Sequence, residues 1–265
     1  MHNPTNFDGQ CVELRLSEEW CNYFQANAES LLEIPWERGG ELPDVNRQSI
    51  THSLQEFQLG EHAEGRHLFR CAQAHAQQTG DSAYTDAVRL FIAEEQRHAR
   101  DLGRFLTLAG VPLLERSWPE TIFHWLRHRA GLELSIRVLI VAEIIALVYF
   151  RTVREASTSA VLRRLCEQIL HDEVEHVRFQ AERLAILRRG RGWLPLAGAH
   201  ALQRFLFLGT CLVVWWRHRR AMRAGGFGFG RFWREAWKEM NSAIRMMDPR
   251  TYVRVSSARE SNVAA

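Results

Sequence analysis

Val138-Leu139-Ile140-Val141-Ala142-Glu143-Ile144-Ile145-Ala146-Leu147-Val148-Tyr149-Phe150 places one carboxylate in an otherwise apolar run. Read as a helix, the run is apolar on every side, the mark of a helix enclosed by others. A lone buried carboxylate is costly, so Glu143 has to be neutralised, paired or bound to a metal. Working outward from it, other helical segments offer partners: Glu64, Glu95-x-x-His98 and Glu173-x-x-His176. Four carboxylates and two imidazoles make the ligand set of a di-metal carboxylate site inside a four-helix bundle.

The spacings carry more than the motifs do. With 24 Glu and 12 His in 265 residues, chance supplies about one Glu-x-x-His, and Glu64-x-x-His67 is a third match the pattern does not need. What chance does not readily supply is the stripes. Tyr84, Val88, Phe91, Glu95, His98, Leu102 and Phe105 fall on one helical face, as do Leu162, Cys166, Ile169, Glu173 and His176. Glu64 and Glu95 stand 31 residues apart, and Glu143 and Glu173 stand 30 apart. Each half is therefore a helix with Glu, a turn, and a helix with Glu-x-x-His. Two such hairpins about a pseudo-two-fold axis would bring all six groups to one level. Hard carboxylates with one imidazole per ion favour iron or manganese over zinc.

The boundaries follow from the breakers. Residues 1–43 read as an irregular lead-in, with Ser17 as cap of a short helix to about Ala26. Residues 44–190 read as the bundle: helices over about 45–78, from Ser82 to about Ala109, 132–156, and to about Arg188, with a linking helix at 118–128. Residues 191–248 read as a helical extension packed on the bundle, with helices at about 194–223 and 232–246, and 249–265 as a mobile tail. The fold class expected is all-α, with no strand-period segment of useful length.

Composition fits a single globular chain: 46% hydrophobic, 25% charged, net charge +3. The basic residues are 33 Arg and one Lys, Lys238, a skew that does not by itself call for a nucleic-acid partner. The five Cys are scattered, without C-x-x-C, which suits a reducing cytoplasm and excludes a disulfide framework or a Cys-ligated iron centre. The N-terminus lacks a secretory pattern. No run of about twenty uncharged apolar residues is present, so no membrane span is expected. Phe205 to Trp216 is too short for one and reads as a buried helix or the wall of a substrate pocket.

Residues 50–188 resemble the ferritin-like di-iron carboxylate superfamily, on Glu64-Gly65-Arg66, Glu94-Glu95-Gln96-Arg97-His98, Ala142-Glu143 and Asp172-Glu173-Val174-Glu175-His176. The resemblance implies a four-helix bundle with a crossover connection, here with two additional C-terminal helices. It implies Glu64, Glu95, His98, Glu143, Glu173 and His176 as ligands of two iron ions or a mixed Mn/Fe pair. It also implies Asp172 as an acid steadying His98. The activity implied is an oxidase or oxygenase using O2 and an external electron donor to hydroxylate, desaturate or N-oxygenate a small organic substrate. An electron-transfer partner and a homodimer are implied as well. Leu102 stands where reductase subunits carry a radical Tyr, and Ile169 where arylamine N-oxygenases carry an extra His. Three rivals stay open: a ferroxidase or iron-handling protein, a tRNA-modifying hydroxylase, and a non-catalytic binding module. Glu61, one turn from Glu64 on the same stripe, rivals it as a ligand, and His67 is a candidate seventh ligand. His171 and Glu175 read as a solvated face, Tyr84 and Tyr149 as core, and Arg217-His218-Arg219-Arg220 as a match for a helix C-terminus.

Overall fold

The computed structural model describes residues 14–42, 44–61, 65–115 and 131–252. Every regular element among them is helical. In order these are α1 (Ser17–Glu29), α2 (Asp44–Glu61), α3 (Arg66–Thr79), α4 (Ser82–Leu108), α5 (Leu132–Ala156), α6 (Ala160–Leu187), α7 (Trp193–Ala224) and α8 (Phe229–Met246). Short 3-10 turns lie at Trp36–Arg38 and Pro249–Tyr252. The linking helix expected at 118–128 lies outside the described residues.

Two hairpins frame the interior. α2 and α3 lie against α4, α5 lies along α6, and the hairpins meet through α4 on α6 and α3 on α5. The turn of the first hairpin is set by Gly80, left-handed at φ 79°, and by Asp81, whose Oδ1 accepts from Tyr84 N–H at 3.1 Å. In the second, Ser159 Oγ accepts from Leu162 N–H at 3.4 Å. α5 is buried nearly throughout, as an all-apolar helix must be: Ile140, Ile144, Val148, Tyr149 and Phe150 are inaccessible. Phe57 of α2 stacks on Tyr149 with ring centroids 3.5 Å apart.

Three expectations are corrected here. Of the helix expected over 45–78, the described residues carry α2 and α3, and residues 62–64 between them lie outside the described residues. Gly65 opens α3, and a Cβ there would stand 2.4 Å from Ile92 Cδ1, so glycine permits the approach to α4. The short helix expected in the lead-in is α1, which runs three residues past Ala26 and buries Trp20, Phe24 and Asn27. Ser17 does not cap it. Its hydroxyl donates to Asp81 Oδ2 at 2.7 Å and accepts from Arg183 Nη2 at 2.6 Å, while Glu19 Oε2 accepts from Leu16 N–H at 2.6 Å. The hydroxyl's charged partners on neighbouring helices outcompete its local capping role. The tail does not begin at 249, because Tyr252 is buried and its Oη donates to the Met246 carbonyl at 3.0 Å.

The third correction concerns α7. It runs 32 residues and is long and apolar enough, by length and composition alone, to cross a membrane. One side, with Leu196, Ala199, Gln203, Phe207, Cys211 and His218, is buried against the bundle, where α7 packs on α5 and α2. The other side is not enclosed: Phe205 is 72% exposed, Leu212 57% and Trp216 59%. α8 completes the extension, lying on α5, α6 and α7.

Candidate metal centre

The Glu-x-x-His pairs sit mid-helix on α4 and α6, where the hairpins meet. Residues three apart share a helical face, so each helix offers a carboxylate and an imidazole together. Side-chain atoms of Glu95, His98, Glu173 and His176 all lie within 4.8 Å of one another, and His98, Glu173 and His176 are buried. His98 Nδ1 is 3.5 Å from Glu173 Oε1 and 3.9 Å from Glu95 Oε1. His176 Nδ1 is 2.8 Å from Glu95 Oε1 and 3.6 Å from Glu173 Oε2. Neighbouring ligand atoms around one ion with bonds of about 2.1 Å stand about 3 Å apart, so the set has the right scale.

The far side of each imidazole explains its orientation. His98 Nε2 lies 2.9 Å from Asp172 Oδ2, and His176 Nε2 lies 2.8 Å from Glu94 Oε2. An ionised carboxylate only accepts, so each Nε2 carries the proton and each Nδ1 faces the cluster. The pattern crosses over. The acid preceding the α4 motif holds the histidine of the α6 motif, and the reverse. Asn27 of α1 joins both: its Nδ2 donates to Glu94 Oε1 at 2.6 Å and to Asp172 Oδ1 at 2.8 Å. Arg97 Nη2 donates to Asp172 Oδ2 at 2.7 Å, and Gln168 Nε2 to Oδ1 at 2.9 Å.

Glu143, 4% exposed, reaches the cluster from α5, where its carboxyl feels Glu95 and Glu173. Glu61, half-buried, reaches it from α2, where its carboxyl feels Glu95 and Glu173. Burial, reinforced by the charges of Glu95 and Glu173, raises the pKa of both Glu61 and Glu143 far above the carboxylate range. Burial also opposes the charge on Glu173, but the neighbouring His176 and His98 imidazoles outweigh it and draw the pKa down to about 2. Burial disfavours the charged His98 imidazole, yet Asp172 and Glu173 push it up to about 9. His176 is raised against its burial by Glu95, Glu173 and Glu94. Asp172 is held below the usual range, its burial outweighed by His171 and His98. Burial among like charges favours the protonated form of Glu61 and Glu143, and a bound cation would compete with those protons.

Of the expected site residues, the fold brings together Glu95, His98, Glu143, Glu173 and His176, with Asp172 behind His98. Glu64 lies outside the described residues. Glu61, its rival, faces the cluster. His67 Nε2 lies 3.4 Å from Cys71 Sγ on α3. Glu175 pairs with Arg15 at 2.5 Å, and His171 Nδ1 lies 3.4 Å from Asp172 Oδ1. Glu94 and Asn27 are additions to the expected set. Glu94 was available in the repeat, standing before Glu95 as Asp172 stands before Glu173. Comparison with family models, with curated proteins and with solved structures yields no match to this chain.

Proposed function

We propose that Glu95, His98, Glu143, Glu173 and His176, with a glutamate of the first hairpin, hold two metal ions in a ferritin-like bundle, and that the protein is a di-iron oxidoreductase. One observation carries the reading. Glu95 Oε1, His98 Nδ1, both Glu173 oxygens and His176 Nδ1 are buried at one point, without a hydrogen-bond partner among the described residues. The 2.8 Å approach of His176 Nδ1 to Glu95 Oε1 lacks hydrogen-bond alignment. Buried polar atoms are rarely left so, and atoms aimed at a shared point suit a cation between them. The donors are carboxylate oxygen and imidazole nitrogen, which suits iron, or manganese with iron.

When bound, such an ion pair supplies O2 activation with electrons from an external donor. The chain's part is to bind, orient and exclude water. Glu94 and Asp172 fix the imidazoles, so that His98 and His176 present Nδ1 once those nitrogens have lost their protons. Glu61 and Glu143 surrender theirs in the same step. Ile140 and Leu147, one turn either side of Glu143 on α5, are buried and apolar. The substrate class that suits these surroundings is a small organic molecule, to be hydroxylated, desaturated or N-oxygenated.

The test is metal content per chain, by elemental analysis of protein from iron-replete cells. Wild type is expected to carry about two irons, and Glu143→Ala almost none with its helical circular dichroism retained. Glu61→Ala and Glu64→Ala, measured beside it, identify the first-hairpin ligand by which of them loses iron. A folded wild-type protein without metal sinks the proposal, and many irons per chain point to iron handling instead.

A further inference from the structure

Between Glu182 and Glu235 the chain runs 52 residues with eleven arginines and no acid. This interval contains all of α7. On the outward side of α7, Leu194, Gly198, Ala201, Phe205, Gly209, Leu212 and Trp216 recur at helical spacing, and each is exposed. The stripe is about 33 Å long at 1.5 Å per residue. Arg189 and Arg191 stand before its first residue, and Arg219, Arg220 and Arg223 follow its last.

The arginines divide into two sets. Arg183, Arg188, Arg191, Arg217 and Arg231 pair with Asp81, Glu133, Glu56 or Glu155. Arg189, Arg204, Arg219, Arg220, Arg223 and Arg234 have no acidic partner among the described residues. An exposed apolar stripe ended by surplus positive charge matches one kind of surface: hydrocarbon beneath anionic headgroups. We infer that the outward face of α7 docks this protein, lying in the plane of the interface, on an anionic lipid bilayer.

The geometry argues against the other occupants. A second copy packed antiparallel about Phe205 would set Arg220 of one chain level with Gly190 of the other, beside Arg189, like charge on like charge. A parallel copy would set each arginine beside its equivalent. RNA would neutralise the arginines and leave Leu194, Phe205 and Leu212 facing water. Nor does α7 cross the bilayer while the bundle is folded. Gln203 Nε2 donates to the Arg137 carbonyl at 3.0 Å, Arg217 is paired with Glu56, and His218 Nδ1 lies 2.8 Å from Ser53 Oγ, so its inner face belongs to the protein.

Vesicle flotation tests this with the full chain. The probes are vesicles of phosphatidylcholine alone or with phosphatidylglycerol, at low and at physiological salt. Wild type is expected to float with the anionic vesicles only, and less at higher salt. The surface variant Phe205→Ser/Leu212→Ser is expected to bind at least about tenfold more weakly, and Arg219→Gln/Arg220→Gln/Arg223→Gln to lose roughly fivefold per arginine. Both variants should keep wild-type circular dichroism, since the changed side chains face outward. The inference is overturned if wild type ignores anionic vesicles at low salt, or if the double-serine variant binds as wild type does. It is overturned equally if wild type sediments as a dimer that the variant breaks while neither binds lipid, or if RNA alone is retained. None of these readings depends on the metal centre.

Discussion

Asn27 Nδ2 gives one proton to Glu94 and the other to Asp172, the two acids that hold the histidines. The amide touches no proposed ligand, yet it fixes the spacing of the groups that orient two of them. Replacing it with the similarly sized, apolar Leu leaves two carboxylates without that donor and frees both imidazoles to turn. Partners of metal-bound histidines typically contribute 10- to 100-fold in affinity, and Asn27→Leu is expected to weaken metal binding by about that factor, read by chelator competition. The proposed ligands are where the sequence is most legible. Glu143 stands out because a charge in an apolar helix has to be explained, and the two Glu-x-x-His pairs because they lie on buried stripes. Periodicity stops short at Glu61 and Glu64. One turn apart, they share a stripe, and spacing cannot choose between them. Asn27 is invisible for another reason: it is 67 residues from Glu94 and 145 from Asp172, on a helix outside the repeat.

Among the elements, α7 is held to the bundle partly through a buried chain of polar groups. Tyr149 Oη donates to Ser53 Oγ at 2.8 Å, and Ser53 Oγ lies 2.8 Å from His218 Nδ1. A neutral imidazole accepts there. Burial, assisted by Arg217 and His52 against the pull of Glu56, lowers His218 to about 4. Unfolded, the ring takes up a proton below about pH 6.5; folded, it resists until about pH 4. The unfolded chain therefore binds more protons across that window, and stability falls as pH falls from about 6.5 to about 4, by about 3 kcal/mol at most. Urea midpoints measured from pH 7 to pH 4.5 are expected to decline, and the decline to be shallower in His218→Gln. The sequence located α7 but misjudged its surroundings. An apolar helix has the same composition whether protein or lipid covers it, so hydrophobicity alone could not reveal the bare face.

For the molecule as a whole, the hairpins meet at a point crowded with acids. Glu61, Glu95, Glu143 and Glu173 converge there, and burial among like charges favours the protonated form of Glu61 and Glu143. A bound ion pair would replace those protons and join four helices. Stripping metal with a chelator is expected to lower the thermal midpoint by roughly 5–10 °C, the size given by ligand binding about a hundredfold above its dissociation constant in a domain of this length. Equal midpoints with and without chelator would mean that the site contributes no such link. At this scale the sequence yielded the helical class and the paired hairpins, because both rest on local periodicity. It did not reveal how α1 closes over the cluster, which depends on contacts between distant segments.

The crossing of Glu94 to His176 and of Asp172 to His98 has a consequence for how the centre comes into being. Neither hairpin owns a finished half. Each supplies an imidazole that stays unoriented until the other arrives with its acid, so docking is all or nothing at that level of the bundle. Asn27, on a helix that belongs to neither hairpin, ties the two acids across that crossing.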